Sequence, residues 1–207
     1  MDFAALAQEC APWVAHQTMA AIVRTESGFR PLAIGINGGA RLSRQPETKA
    51  EAVATAKWLI ANGYNIDMGL GQVNSANLPK IGLTVENAFD PCQNIAASAT
   101  ILQGNYQAAK RKTVDEQAAL HAALSAYNTG SFTRGFSNGY VQRVVNNATP
   151  QGQKPATPIP LAPAKEAKPK AKRHEKAQPP KAPQESQTNE LAEGDVYKRN
   201  IKSVMVF

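Results

Sequence analysis

The composition break near residue 149 sets the outer limit on what this chain can fold into. From 149 to 183 the sequence is dominated by Pro, Ala, Lys and Gln, whereas nearly all Phe, Tyr, Trp and Ile residues precede it. A segment so poor in large apolar side chains cannot offset the entropy of ordering its backbone by burying surface. The expected organisation is therefore one domain over 1–148 and a flexible, disordered Pro- and Lys-rich tail over 149–207. Roughly 150 residues suffice for a single substantial core. Apolar character returns at 196–207, where a short docking segment and a frayed end are both compatible readings.

Charge follows the same division. The tail carries 11 of the 23 basic and 6 of the 16 acidic residues, hence +5 of the formal +7, and leaves the domain at only +2. The domain shows neither a basic stripe interleaved with aromatics nor a nucleic-acid-reading motif, which argues against nucleic acid as its partner. The Lys165 to Lys181 tract has two readings: contact with anionic lipid, another anionic polymer or DNA, or a soluble spacer kept extended by Pro and charge. No segment has the length of a membrane span. The first ten residues contain Asp2 and Glu9 and lack a basic start followed by an apolar core, so no signal peptide is expected from them. Cys10 and Cys92 are the sole cysteines; they read as a long-range disulfide or as two buried thiols. No spaced Cys/His cluster suggests a metal, and no cofactor motif is present.

Apolar periodicity predicts a mainly helical domain. Phe3, Leu6, Ala7 and Cys10 form a first stripe ending before Pro12. A second helix from about Thr18 places Met19, Ile22 and Val23 inward, with Glu26 on the same face at its end and Gly28 and Pro31 beyond it. Residues 48–61 predict a helix whose stripe is Ala50, Val53, Ala54, Trp58 and Ala61, closed by Gly63. The turn-rich stretch 63–79 leaves room for a short β-hairpin. Asp90 and Pro91 open a helix with Ile95, Ala99, Leu102 and Tyr106 inward. Thr113 and Glu116 form a capping-box pattern ahead of Leu120, Ala123, Leu124 and Tyr127, and Gly130 ends that helix. A last short helix after Gly139 turns Val141, Val144 and Val145 inward.

Glu26 alone does not establish an enzyme, because a helix-terminal Glu with Arg24 and Arg30 close in sequence also reads as an ion-pair residue. Its company is more informative. Glu26-Ser27-Gly28-Phe29-Arg30-Pro31, then Gly69-Leu70-Gly71-Gln72-Val73-Asn74, then Ala126-Tyr127-Asn128-Thr129-Gly130 occur in that order, each offering polar groups on or beside a turn. With these blocks the chain resembles the soluble-lytic-transglycosylase family of the lysozyme-like fold. More narrowly, it is similar to the small peptidoglycan-cleaving transglycosylases of type IV secretion and bacterial conjugation systems. Cys10-Ala11-Pro12, the Gln45-Pro46 loop, Phe89-Asp90-Pro91-Cys92 and the segment from Gly135 to Val141 support the narrower likeness, which spans about residues 3–147.

The resemblance implies a lysozyme-like fold and a catalytic acid/base at Glu26. Ser27 would position that carboxyl or the substrate, Gln72 and Asn74 would line the glycan cleft, Tyr127 would lie close to Glu26, and Asn128 would shape the cleft. Each of the supporting residues also has a plain structural reading: Ser27 as a helix-end stabiliser, Asn74 as a turn residue, Tyr127 as a half-buried packing residue. Asp67 is assigned a turn or surface role. The implied reaction is cleavage of the β-1,4 bond between N-acetylmuramic acid and N-acetylglucosamine with 1,6-anhydromuramyl ends, in the periplasm or cell envelope, with no cofactor. The implied partners are peptidoglycan strands and secretion-system components, the latter contacted through the tail. A non-catalytic glycan-binding or assembly module is the alternative. Some relatives carry further cysteines near Asn105 and Ser125, a bridge this chain cannot make.

Overall fold

A computed structural model of the chain describes residues 2–148. The expectations for 149–207, the tail and the docking segment at 196–207, lie outside the described residues. The domain is mainly helical, as expected. Its longer helices are α1 (Phe3–Cys10), α2 (His16–Glu26), α3 (Lys49–Ala61), α6 (Pro91–Lys110), α7 (Glu116–Thr129) and α9 (Tyr140–Ala148). Single-turn helices α4 (Leu78–Ile81), α5 (Val85–Ala88) and α8 (Arg134–Ser137) connect them. The expected hairpin is present as β2 (Ile66–Met68) and β3 (Val73–Asn74). It is joined by an unforeseen strand, β1 (Ile34–Ile36), in an antiparallel sheet of order β1-β2-β3.

The sheet sorts its residues by the two-residue period of a strand. Ile34, Ile66, Met68 and Val73 are buried on one face. Gly35, Asp67 and Asn74 are paired across the strands on the other. The outer edge of β1 is closed by Gln45, whose side-chain amide accepts from Ile34 N at 2.8 Å and donates to Ile34 O at 2.9 Å. Gln45 thus substitutes for a neighbouring strand and leaves that edge residue satisfied.

Two apolar clusters lie around α6. Ile95, Ala99, Leu102 and Tyr106 face α1, α2, α7 and α9, while Ala97 belongs to the cluster beneath the sheet, α3, α4 and α5. Asp90 caps α6 by accepting from Gln93 N at 3.0 Å, and Pro91 occupies the first turn, as the sequence predicts. The disulfide reading of the cysteines holds: Cys10 is bonded to Cys92, with 5.2 Å between their Cα atoms and a sequence separation of 82. It ties the end of α1 to the start of α6, and a loop of this length corresponds to about 4.5 kcal/mol of unfolded-state entropy.

Two local expectations are corrected. In α3 the buried face is Ala52, Ala56 and Leu59, whereas Trp58 is 60% exposed and Ala50, Ala54 and Ala61 are exposed. Alanine occurs on both sides of this helix, so its periodicity does not fix a face, and the sheet accepts the side carrying Leu59. Ahead of α7 the cap is Asp115, not Thr113. The Asp115 carboxylate accepts from the backbone of Gln117 at 2.8 Å and Ala118 at 3.0 Å, an anion placed directly on the positive end of the helix. Thr113 instead accepts from Asp115 N.

Candidate active site

Glu26 is the last residue of α2. The chain leaves the helix abruptly there, since Gly28 and Phe29 both take positive φ, 59° and 63°. The Phe29 ring packs edge-on against Phe3 with centroids 5.1 Å apart and has the Arg24 guanidinium above it. Arg30 donates to Ser27 O at 2.8 Å. Neither arginine pairs with Glu26, and among the described residues Glu26 forms no salt bridge. The ion-pair reading of this residue is thereby removed.

The partner of Glu26 is a residue the sequence reading passed over. Tyr140, at the start of α9 and 2% exposed, donates its hydroxyl to Glu26 Oε1 at 2.5 Å. Burial pushes the Glu26 carboxyl up from an ordinary 4.5 to about 7, opposed by the Tyr140 bond and the Arg143 charge and reinforced by the Asp67 charge. Such a group is half protonated near neutrality, the state from which one side chain can both give and take a proton. Burial and the nearby Glu26 raise the phenols of Tyr127 and Tyr140, so both remain neutral donors.

An open cleft of about 340 Å3 runs past Glu26, lined by Asn37, Asp67, Gln72 and Asn74 from the sheet and by Tyr127 and Asn128 from the end of α7. Five of the six site residues named from sequence thus converge on it. Ser27 does not: it is buried and donates to Val23 O at 3.3 Å, within its own helix end.

The supporting residues act largely on the β2–β3 turn. Tyr127 donates to Gly71 O at 2.6 Å rather than to Glu26. Gln72 has φ 50° and is held there by donating to Ala33 O at 3.1 Å and Gly69 O at 2.9 Å. From α6, the buried Asn94 donates to Met68 O and Ala88 O and accepts from Gly71 N at 2.8 Å. Gly71 has no room for a side chain, because a Cβ there would lie 2.0 Å from Ser98 Oγ and 3.0 Å from Tyr127 Oη. Asn128, exposed, accepts from Asn138 Nδ2 at 3.1 Å.

Asp67 is not the turn or surface residue the sequence suggested. It is the middle of β2, on the sheet face turned to the cleft, and burial raises its carboxyl while Asn74 and Asn37 draw it down. Strand alternation in Asn65-Ile66-Asp67-Met68 is the signal that would have placed it. Among the described residues no cluster of His, Cys, Asp and Glu is arranged to hold a metal ion, and no helix is long and apolar enough to cross a membrane. Ser125 donates to Ser131 O at 2.6 Å and accepts from Gly135 N at 2.8 Å, joining α7 to α8.

The chain is 52% identical over 154 residues to the type IV secretion system protein virB1 of Brucella abortus, covering 72% of this chain and 64% of that protein. It is 44% identical over 145 residues to protein virB1 of Rhizobium radiobacter, covering 69% and 59%, and 42% identical over 144 residues to protein virB1 of Agrobacterium fabrum, covering 69% and 58%. It therefore spans somewhat less than two thirds of the length of these relatives. No solved structure gives a significant match. The family described as the transglycosylase SLT domain matches residues 3–148, a span that takes in Glu26 and every wall of the cleft, and the chain belongs to that family.

Proposed function

We propose that the chain is a peptidoglycan lytic transglycosylase that opens the cell wall locally, in the periplasm or cell envelope, for a type IV secretion or conjugation apparatus. The observation that carries this reading is Glu26: a carboxyl poised near pKa 7, free of ion pairs, held by Tyr140 at the wall of an open polar cleft. The family membership supports the chemistry, and the name of the Brucella relative, a type IV secretion system protein, supports the setting.

Glu26 in its protonated form donates to the glycosidic oxygen as the bond from muramic acid C1 breaks, leaving positive charge on C1 and the ring oxygen. The carboxylate so formed then accepts the proton of the C6 hydroxyl of the same sugar as that oxygen bonds to C1. The result is a 1,6-anhydromuramyl end and a free N-acetylglucosamine 4-hydroxyl, with no water consumed and Glu26 returned to its starting state. Attack within one ring is favoured by its high effective concentration. We assign Gln72, Asn74 and Asn128 to the glycan-facing wall and Tyr127 to holding the hairpin that presents them. The tail over 149–207 is proposed as the arm that meets the apparatus.

Digestion of purified peptidoglycan by the wild type and by Glu26→Gln, followed by mass analysis, tests the reading. Anhydromuramyl products from the wild type and none from the variant are expected. Reducing muramic ends alone would exclude the transglycosylase chemistry, and a wild type that binds glycan without cutting it would favour the binding-module alternative.

A further inference from the structure

The cleft contains a second carboxylate whose setting is built rather than incidental. Asp67 Oδ2 accepts from Asn37 Nδ2 at 2.9 Å, and Oδ1 accepts from Asn74 Nδ2 at 2.7 Å. The same two amide nitrogens each also donate to Asn65 Oδ1, both at 2.7 Å. Asn65 Nδ2 in turn donates to Asn74 Oδ1 at 3.0 Å. Each amide nitrogen of Asn37 and Asn74 has both of its protons in use, so neither side chain can swing away without losing two bonds. Asp67 is thus fixed with both oxygens as acceptors, the pattern of an ionised carboxylate.

Among the described residues no cation answers that charge. Among the described residues Asp67 takes part in no salt bridge. The titratable groups around it are Glu26 from α2 and Tyr127 from α7, with Tyr140 and Arg143 of α9 reaching it only across Glu26. An anion partly removed from water without a counter-charge is costly. The arrangement becomes economical when the occupant of the cleft carries positive charge.

We propose that Asp67 is a second functional carboxylate of the cleft, a fixed anion that stabilises the positive charge developing on the sugar ring as the glycosidic bond breaks. The proposal rests on the glycan-cleaving reading above. Asp67 forms no covalent bond and transfers no proton. Glu26 is neutral when it begins to donate, so the fixed anion at that moment comes from β2, preorganised by the three asparagines before substrate arrives.

The test uses the full chain in a Glu26→Gln background, which removes the competing carboxyl. Two probes are compared: a neutral N-acetylglucosamine oligomer, and the same oligomer with a protonated ring nitrogen in one sugar. The cationic probe is expected to bind about 10- to 100-fold more tightly. Adding Asp67→Asn should abolish that preference, read as the ratio of the two affinities so that any loss shared by both probes through the altered amide network cancels. An unchanged preference in the double variant, or none in Glu26→Gln, overturns the proposal. If Asp67→Asn does not fold, the Glu26→Gln protein alone decides the matter. Its preference must fall as pH is lowered through the Asp67 titration, and a flat preference overturns the assignment. In the otherwise wild-type enzyme, Asp67→Asn should lower kcat by about 10- to 100-fold with little change in KM. Cleavage by the wild type without the charge preference would sink this proposal alone. The preference without cleavage would sink the transglycosylase reading and this catalytic role with it, a result distinct from the loss of the preference alone.

Discussion

Replacing Glu26 with Gln should abolish cleavage and stabilise the domain, and the stabilisation should depend on pH in a defined direction. Burial raises the folded-state pKa of Glu26 from 4.5 to about 7. Below about pH 4.5 the carboxyl is protonated whether the chain is folded or not, so it costs nothing. Between about 4.5 and 7 the unfolded chain ionises it and the folded chain does not, so the wild type loses stability as pH rises. Above about 7 the loss is complete, at about 3 kcal/mol. Glutamine is close in shape, accepts from Tyr140 through its amide oxygen, and does not ionise. For a domain of this size the difference corresponds to roughly 10 °C in Tm at pH 8 and near zero at pH 4. Paired thermal melts of wild type and variant from pH 4 to pH 8 measure it. Two curves that stay parallel over that range would falsify the claim that a desolvated carboxyl is the basis of the site.

Tyr140→Phe removes the bond that opposes burial at Glu26, so the alkaline limb of the pH–rate profile should move upward and kcat should fall; an unmoved limb means that Tyr140 does not act on this carboxyl. Gly71→Ala should cost at least about 2 kcal/mol, because the added methyl meets Ser98 and the Tyr127 hydroxyl; denaturant unfolding reads this, and a change below 0.5 kcal/mol, on the order expected for an open surface site, would contradict the packing described. Cys10→Ser should lower unfolding free energy by about 4 kcal/mol, with Cys92→Ser matching it and the double variant adding little. Trp58→Ser should change stability by less than about 0.5 kcal/mol, since the indole is largely outside the core; a larger loss would restore it to the packed face.

Much of this is legible in the sequence, for identifiable reasons. Glu26 was placed by helical period, since Met19, Ile22 and Val23 point the same way and are all fully buried. The cap at Asp90 and the left-handed exit at Gly130 were read from chemistry that acts within one turn. Tyr140 was missed because its bond to Glu26 spans 114 residues, and no local period marks a long-range hydrogen bond. The inward set of α9 was drawn from its valines alone. Asp67 and β1 were missed because runs of three residues are too short to announce a strand, although Ile34-Gly35-Ile36-Asn37 and Asn65-Ile66-Asp67-Met68 alternate as strands do. Asn94 is not on the apolar stripe that marks α6, and two of its three partners, Gly71 N and Met68 O, lie 23 and 26 residues away.

The backbone turn that follows Glu26 links the cleft to the oxidation state of the surroundings. Phe29 holds positive φ without being glycine, and what supports it is the ring of Phe3 at the first turn of α1. At its other end α1 is fastened by the Cys10–Cys92 bond. In a reducing compartment that fastening is absent, α1 is the more easily frayed, and the turn that aims the acid loses its brace.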